Sequence, residues 1–268
     1  MNAELLIMFT LDCDRAYLYA HPERELTSAD MRRYDEALAR RATGVPAQYI
    51  TGHQEFWGLD FIVSPAVLIP RPETEHVVEA VLELAKPDGR GRTSPHDLRI
   101  VDVGTGSGAI ALALARELPA ARIHATDISP DALEVARANA ARLELTSRIE
   151  FHLGDLLTGL PVASVDFVVS NPPYVGETEE DSVQLEVRKF EPRDAVFAGP
   201  TGVEVIERLI PQARETLRPG GWLVFEISGT IADRVRSLLP SCDWDEVAIR
   251  NDLQGIARVA IARKTPGA

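Results

Sequence analysis

The sequence predicts an α/β fold built on a mainly parallel sheet, and three observations lead there. From Leu98 onward, short apolar strand patterns alternate with helical ones. The first of these strands, Arg99 to Val103, runs into Gly104-Thr105-Gly106-Ser107-Gly108 and then a helical pattern. Two late strand patterns, Glu246 to Arg250 and Ala257 to Ala262, have only a short link between them, which suggests an antiparallel finish. Apolar strands separated by helices need cover on both faces of the sheet.

Composition bounds the rest. The chain has 268 residues, 45% apolar and 26% charged, which suits one large soluble domain or a large one plus a small one. The formal net charge of -13 argues against a surface built to grip a nucleic-acid backbone, so no nucleic-acid partner is expected. Cys13 and Cys242 stand far apart with no metal-type spacing. No disulfide framework or metal site is expected, and a reducing cytoplasm is the default. Leu5 to Phe9 is apolar but too short to span a bilayer, and no basic residue precedes it, so neither a membrane anchor nor a signal peptide is expected.

In chain order, residues 1 to about 50 read as helical. Ala3 to Leu11 has helical apolar content, and Thr27 to Asp30 forms a start signal for a helix from Met31 to Ala42 that Gly44-Val45-Pro46 stops. Arg32, Arg33, Arg40 and Arg41 read as a solvated helix face. Gln54 to Val63 alternates, is aromatic-rich and has Gly58 near its middle, the pattern of a β-hairpin. Leu68-Ile69 is an apolar ledge, stiffened by Pro70 and Pro72, ahead of a helix running to about Ala85. Glu73 or Thr74 suits that helix's N-terminus. Lys86 to Asp97 reads as a loop.

The α/β part then gives strands at Arg99 to Val103, Arg122 to Thr126, Ile149 to Leu153, Val165 to Val169 and Trp222 to Ile227. Helices are expected from Gly108 to about Leu118, Pro130 to Leu143, Gly202 to Leu217 and Thr230 to Leu239, with Arg218 to Gly221 as a turn.

Candidate site residues collect at the carboxyl ends of these strands, where open α/β sheets bind ligands. The glycine turn allows tight bending and close ligand approach, and free N–H groups follow at the helix start. Asp127 closes the second strand, where a carboxylate can accept both hydroxyls of a ribose. Glycines and Asp127 fit a nicotinamide dinucleotide and S-adenosylmethionine alike. Three features favour the second. Asp102, just before the turn, suits an ammonium group and repels a pyrophosphate. Asp155 ends the third strand, placed to accept from an adenine amino group. Ser170-Asn171-Pro172-Pro173-Tyr174 ends the fourth strand and has no evident part in hydride transfer. Asn171 brings an amide, the two prolines bring stiffness and carbonyls without competing donors, and Tyr174 brings a flat ring. That pocket suits a planar NH2 group, adenine or a side-chain amide alike.

Val101 to Gly108, Ala125 to Ser129 and Ser170 to Tyr174 resemble the class I S-adenosylmethionine-dependent methyltransferases that modify amino or amide nitrogens. Leu68 to Glu75, Arg41 to Gly52 and Phe190-Glu191-Pro192 narrow the resemblance to the peptide chain release factor glutamine methyltransferase family (PrmC, also called HemK). It covers nearly the whole chain. It implies a small helical substrate-docking domain over 1–52, a β-hairpin linker over 53–72 and a Rossmann-like, seven-stranded methyltransferase domain over 73–268. It implies methylation of the glutamine amide in the Gly-Gly-Gln motif of bacterial release factors, by a cytoplasmic enzyme expected to be a monomer. Carried over, Gly104, Thr105, Gly106, Ser107, Gly108, Asp127, Ile128, Asp155, Leu156 and Asn171 bind S-adenosylmethionine. Asn171, Pro172, Pro173 and Tyr174 hold the glutamine, with Asn171, Pro172 and Tyr174 catalytic. The N-terminal region looks shorter than usual for the family, and Glu226-Ile227-Ser228-Gly229 departs from its usual Glu-Ile-Gly, read as a turn change of little chemical consequence. Adenine-amino methylation of DNA or RNA, glutamine methylation of a ribosomal protein, a nicotinamide-dependent oxidoreductase and a non-enzymatic relic are the competing readings.

Overall fold

The computed structural model describes residues 2–86 and 98–266. The loop expected over Lys86 to Asp97 lies, beyond Lys86, outside the described residues.

The N-terminal part holds α1 (Asn2–Leu11), α2 (Arg15–Ala20), α3 (Ser28–Ala42) and α4 (Ala47–Thr51). Thr27 caps α3 with a capping box: its hydroxyl accepts from Asp30 N at 3.2 Å, and the Asp30 carboxylate accepts from Thr27 N at 3.0 Å. Leu6, Ala37 and Ile50 form a small core of their own. Two of these helices, α2 and α4, have six and five residues, too few to carry a readable period. The arginines expected on a solvated face are not all idle. Arg40 donates to Tyr49 O, and Arg41 donates to Val45 O and pairs with Glu186.

Strands β1 (His53–Phe56) and β2 (Leu59–Ile62) form the expected hairpin. Its two turn residues, Trp57 and Gly58, have φ of 54° and 66°, the left-handed pair that matches strand twist. Among the contacts that clamp the hairpin to the large domain is one buried amide. Asn139, fully buried, accepts from Ile62 N at 2.7 Å and donates to Ile62 O at 3.0 Å and Ser107 O at 2.9 Å.

The seven-stranded sheet runs in the order β10-β11-β9-β6-β3-β4-β5, with β3 (Arg99–Val103), β4 (Arg122–Asp127), β5 (Ile149–Leu153), β6 (Val165–Ser170), β9 (Leu217–Glu226), β10 (Trp244–Asn251) and β11 (Ala257–Lys264). The five from β5 to β9 are parallel and the last two antiparallel, as the sequence predicts. One face packs on α5 (Glu75–Ala85), α6 (Ala109–Glu117) and α7 (Pro130–Arg142) through Val78, Leu112 and Ile123. The other packs on α10 (Glu204–Thr216) and α11 (Ala232–Ser237) through Leu209, Val235 and Phe225.

Three expectations need correction. Arg218 to Gly221 is not a turn: β9 runs unbroken from Leu217 to Glu226 and pairs with β6 across a register shift. Gly220 (φ 78°) supplies the irregularity, and a Cβ on Gly221 would lie 3.0 Å from Asp166 O, so the glycines serve close strand approach. The helix expected from Thr230 to Leu239 is a 3-10 turn, Gly229–Ile231, followed by the short α11. And residues 175–199 carry unexpected elements: β7 (Val175–Gly176), a 3-10 helix (Glu177–Ser182), α8 (Leu185–Phe190), α9 (Arg193–Val196) and β8 (Phe197–Gly199), which pairs with β7. No helix among the described residues is long and apolar enough to cross a membrane.

Candidate active site

A cavity of about 440 Å³ opens at the carboxyl ends of β3, β4, β5 and β6, within the usual range for small-molecule sites. Its floor is the glycine turn. Gly104, Gly106 and Gly108 have φ of 68°, 56° and 84°, backbone that other residues reach only with strain. A Cβ on Gly104 or Gly106 would meet nothing within 4 Å, so the space above both is open to a ligand. Gly108 is different: a Cβ there would meet Leu112 at 3.0 Å and Ala136 at 3.4 Å, so it lets α6 pass close to α7.

Two carboxylates shape the turn. Asp127 accepts from Gly106 N at 2.8 Å and Ser129 N at 2.9 Å while still lining the cavity. These two bonds leave acceptor sites free toward the cavity, because a carboxylate has about four lone-pair sites. Asp102 corrects an expectation. It does not line the cavity; it is buried beneath the turn, accepting from Thr105 Oγ1 at 2.6 Å and Ala111 N at 3.1 Å. It therefore fastens the turn instead of meeting a ligand's charge.

Burial lifts Asp102 to about 7, against the opposing hydrogen bonds from Thr105 and Ala111. A carboxyl that binds its proton more tightly folded than unfolded contributes stability fully present below its unfolded value of 3.8 and lost as pH rises through about 7. Asp127 and Glu226, also raised by burial, act in the same direction. Asp102→Asn is expected to flatten the pH dependence of urea unfolding between about pH 4 and pH 7. Equal slopes for the two proteins would contradict the assignment.

Beside the turn, Asn171 donates from Nδ2 to Thr74 Oγ1 at 3.0 Å. Thr74 donates to Glu226 Oε2 at 2.5 Å, and Tyr174 donates to Glu226 Oε1 at 2.9 Å. Glu226 is 1% exposed. A carboxylate only accepts, so Thr74 must spend its proton on Glu226 and can only accept from Asn171. That order fixes the amide: nitrogen toward Thr74, oxygen left for the cavity that Asn171 lines. Thr74 stands at the N-cap position of α5, as expected, but its side chain makes no capping bond there. Glu226, which opens the altered turn sequence, holds both hydroxyls.

Of the expected site residues, Gly104, Thr105, Gly106, Ser107, Asp127, Ile128, Asp155, Leu156, Asn171 and Pro173 line the one cavity. Gly108, Pro172 and Tyr174 do not. Pro172 is buried, and Tyr174 packs against the second core with its hydroxyl on Glu226. Asp155 is paired with Arg208 of α10, also in the wall. The ledge is hung from Glu191, which accepts from Ile69 N at 3.2 Å and Arg71 Nη2 at 2.5 Å. Leu68 and Pro70 complete that wall. Sequence reasoning missed Thr74, Glu226, Arg208 and the cover from Pro192 to Phe197. A buried Glu with no cation nearby in sequence, ending an apolar strand, was the one available signal.

Comparison with known proteins matches residues 1–52 to a family described as the PrmC N-terminal domain and residues 92–189 to the methyltransferase small domain. A release factor glutamine methyltransferase of Koribacter versatilis (strain Ellin345) is 56% identical over 267 residues, 98% of this chain and 91% of that protein. One of Moorella thermoacetica is 46% identical over 238 residues, 89% of this chain and 81% of that protein. Among solved structures, the catalytic domain of hMettl16 aligns with a TM-score of 0.61 at 19% identity, covering 82% of this chain and 80% of that one. Ribosomal protein L11 methylase of Lactobacillus delbrueckii subsp. bulgaricus aligns at 0.51 and 24% identity, covering 72% and 80%. These two show the shared fold.

Proposed function

The chain belongs to the release factor glutamine methyltransferase family, and from that premise we propose how it methylates the glutamine amide nitrogen of the Gly-Gly-Gln motif in peptide chain release factors, with S-adenosylmethionine as donor. The observation that carries the reading is the Asn171 amide, held with its oxygen toward the cavity by Thr74 and Glu226.

The open space over Gly104 and Gly106 and the carboxylate of Asp127 suit the cofactor. Gly104 to Ser107 would cradle its amino-acid end, Asp127 its ribose, and Ile128, Asp155 and Leu156 its adenine. Ile128 is 65% exposed, an apolar flank at the cavity edge that a flat base would cover. Bound there, S-adenosylmethionine supplies a methyl group on a sulfonium, an electrophile that needs no metal.

An amide nitrogen is a weak nucleophile because its lone pair is delocalised. Asn171 Oδ1 and the Pro172 carbonyl would accept its two N–H bonds, aiming the nitrogen and stabilising the positive charge that grows on it. Pro172 and Pro173 keep those acceptors stiff. Tyr174, tied to Glu226, would act from behind by fixing that carboxylate. We read 1–52 as the substrate-docking domain, 53–72 as the linker and 73–268 as the catalytic domain of a cytoplasmic, monomeric enzyme of translation termination.

Two experiments test this. Incubation of purified release factor with labelled cofactor, followed by mass mapping, should place one methyl group on the Gly-Gly-Gln glutamine; label in nucleic acid instead would refute it. Thr74→Val removes the hydroxyl at nearly constant shape. It should lower turnover about 10²-fold through misplacement of Asn171, leave cofactor affinity unchanged, and be rescued by Thr74→Ser. Full activity in the valine variant would rule out the Thr74 role.

A further inference from the structure

We propose that His124, Glu150 and His152 form a zinc-class metal site on the sheet, apart from the cavity. His124 lies on β4 and the other two on β5, the last strand of the sheet. The parallel register pairs His124 with Glu150 and Thr126 with His152. Side chains alternate along a strand, so all three project from the same face. The intervening Ile123, Ala125, Ile149 and Phe151 point the other way, into or against the core.

The ligand atoms converge. His124 Nδ1 lies 3.1 Å from His152 Nε2. Glu150 straddles the pair, with Oε2 3.5 Å from His124 Nδ1 and Oε1 3.6 Å from His152 Nε2. Neither carboxylate contact is a good hydrogen bond. With a single carboxylate oxygen as ligand, the three donor atoms all lie within 4.8 Å of one another, near enough for small side-chain rotations to bring them to the roughly 3.4 Å edge of a tetrahedron around an ion with bonds of about 2.0–2.1 Å. Two imidazoles and one carboxylate are three of the four ligands of such a site, with water as the fourth.

The donor set selects the ion. One carboxylate is too few for calcium or magnesium, which take mostly oxygen ligands. Arg99 and Arg122 open the neighbouring strands β3 and β4, and their charge penalises a site relying on electrostatics alone. Zinc, which bonds imidazole nitrogen strongly, suits it. The ion would rivet β5 to β4, on the strands that end in Asp127 and lead to Asp155. Its role is therefore structural support, and binding should raise the unfolding temperature by linkage.

The test uses the full chain stripped by a chelator and titrated with zinc chloride by calorimetry, with cobalt(II) absorption as a second readout. One ion per chain is expected, with tetrahedral cobalt bands. His124→Ala, His152→Ala and Glu150→Gln should each weaken binding by at least the 10- to 100-fold that loss of a mere outer partner costs. Methyl transfer at saturating substrate should be unchanged in all three. Glu150 is exposed, so its variant decides the matter if a histidine variant folds poorly. No binding by the wild-type chain, or equal binding by wild type and Glu150→Gln, would overturn the site.

Discussion

Asn171→Ala should reduce methyl transfer to release factor by at least 10²- to 10³-fold, the scale of losing one pre-aimed polar group that acts on the transition state. The side chain reaches the cavity, and its only hydrogen bond among the described residues runs from Nδ2 to Thr74. Its removal deletes one of two acceptors for the amide nitrogen and leaves the glycine turn untouched. Cofactor affinity, measured by calorimetry, should stay within a few-fold of wild type. The fall should appear in kcat, because the lost contact strengthens as charge develops. Wild-type turnover in this variant would remove the basis of the proposed mechanism.

Asp127→Ala should act on the other half. It removes the acceptor for Gly106 N and Ser129 N as well as the ribose partner. Hydrogen bonds to a charged group contribute about 1.5–3 kcal/mol each, so losing two toward the ligand should raise the dissociation constant for S-adenosylmethionine about 10²-fold or more. Calorimetric titration reads this directly. The loosened turn should also lower the unfolding midpoint of the ligand-free protein. Unchanged cofactor affinity would exclude Asp127 from the binding site.

Much of this arrangement was legible in the sequence, for identifiable reasons. Four of the five parallel strands are runs of five or six residues ending at a carboxylate, an amide or glycine, and both strand and edge position follow from that pattern. Gly104 to Gly108, Asp127 and Asn171 were readable because short local spacing fixes their relation to a strand end. What escaped depends on distant partners. Thr74 and Glu226 lie 152 positions apart and meet only because α5 and β9 pack together. Asp102 sits one residue too deep to face a ligand, and no local pattern separates depth from direction. The cover from β7 to β8 is made of two- to six-residue pieces, shorter than any period that would announce them. His124 and His152 lie 28 positions apart, and only strand register brings them together.

Asn139 has a consequence for how the two ends of the enzyme communicate. One buried amide holds both backbone groups of Ile62 and the carbonyl of Ser107. The hairpin strand and the glycine turn under the cavity therefore share one hydrogen-bonding partner. Binding of the two reactants is then subject to reciprocity: whatever factor the donor contributes to capture of the protein substrate, the substrate returns to retention of the donor.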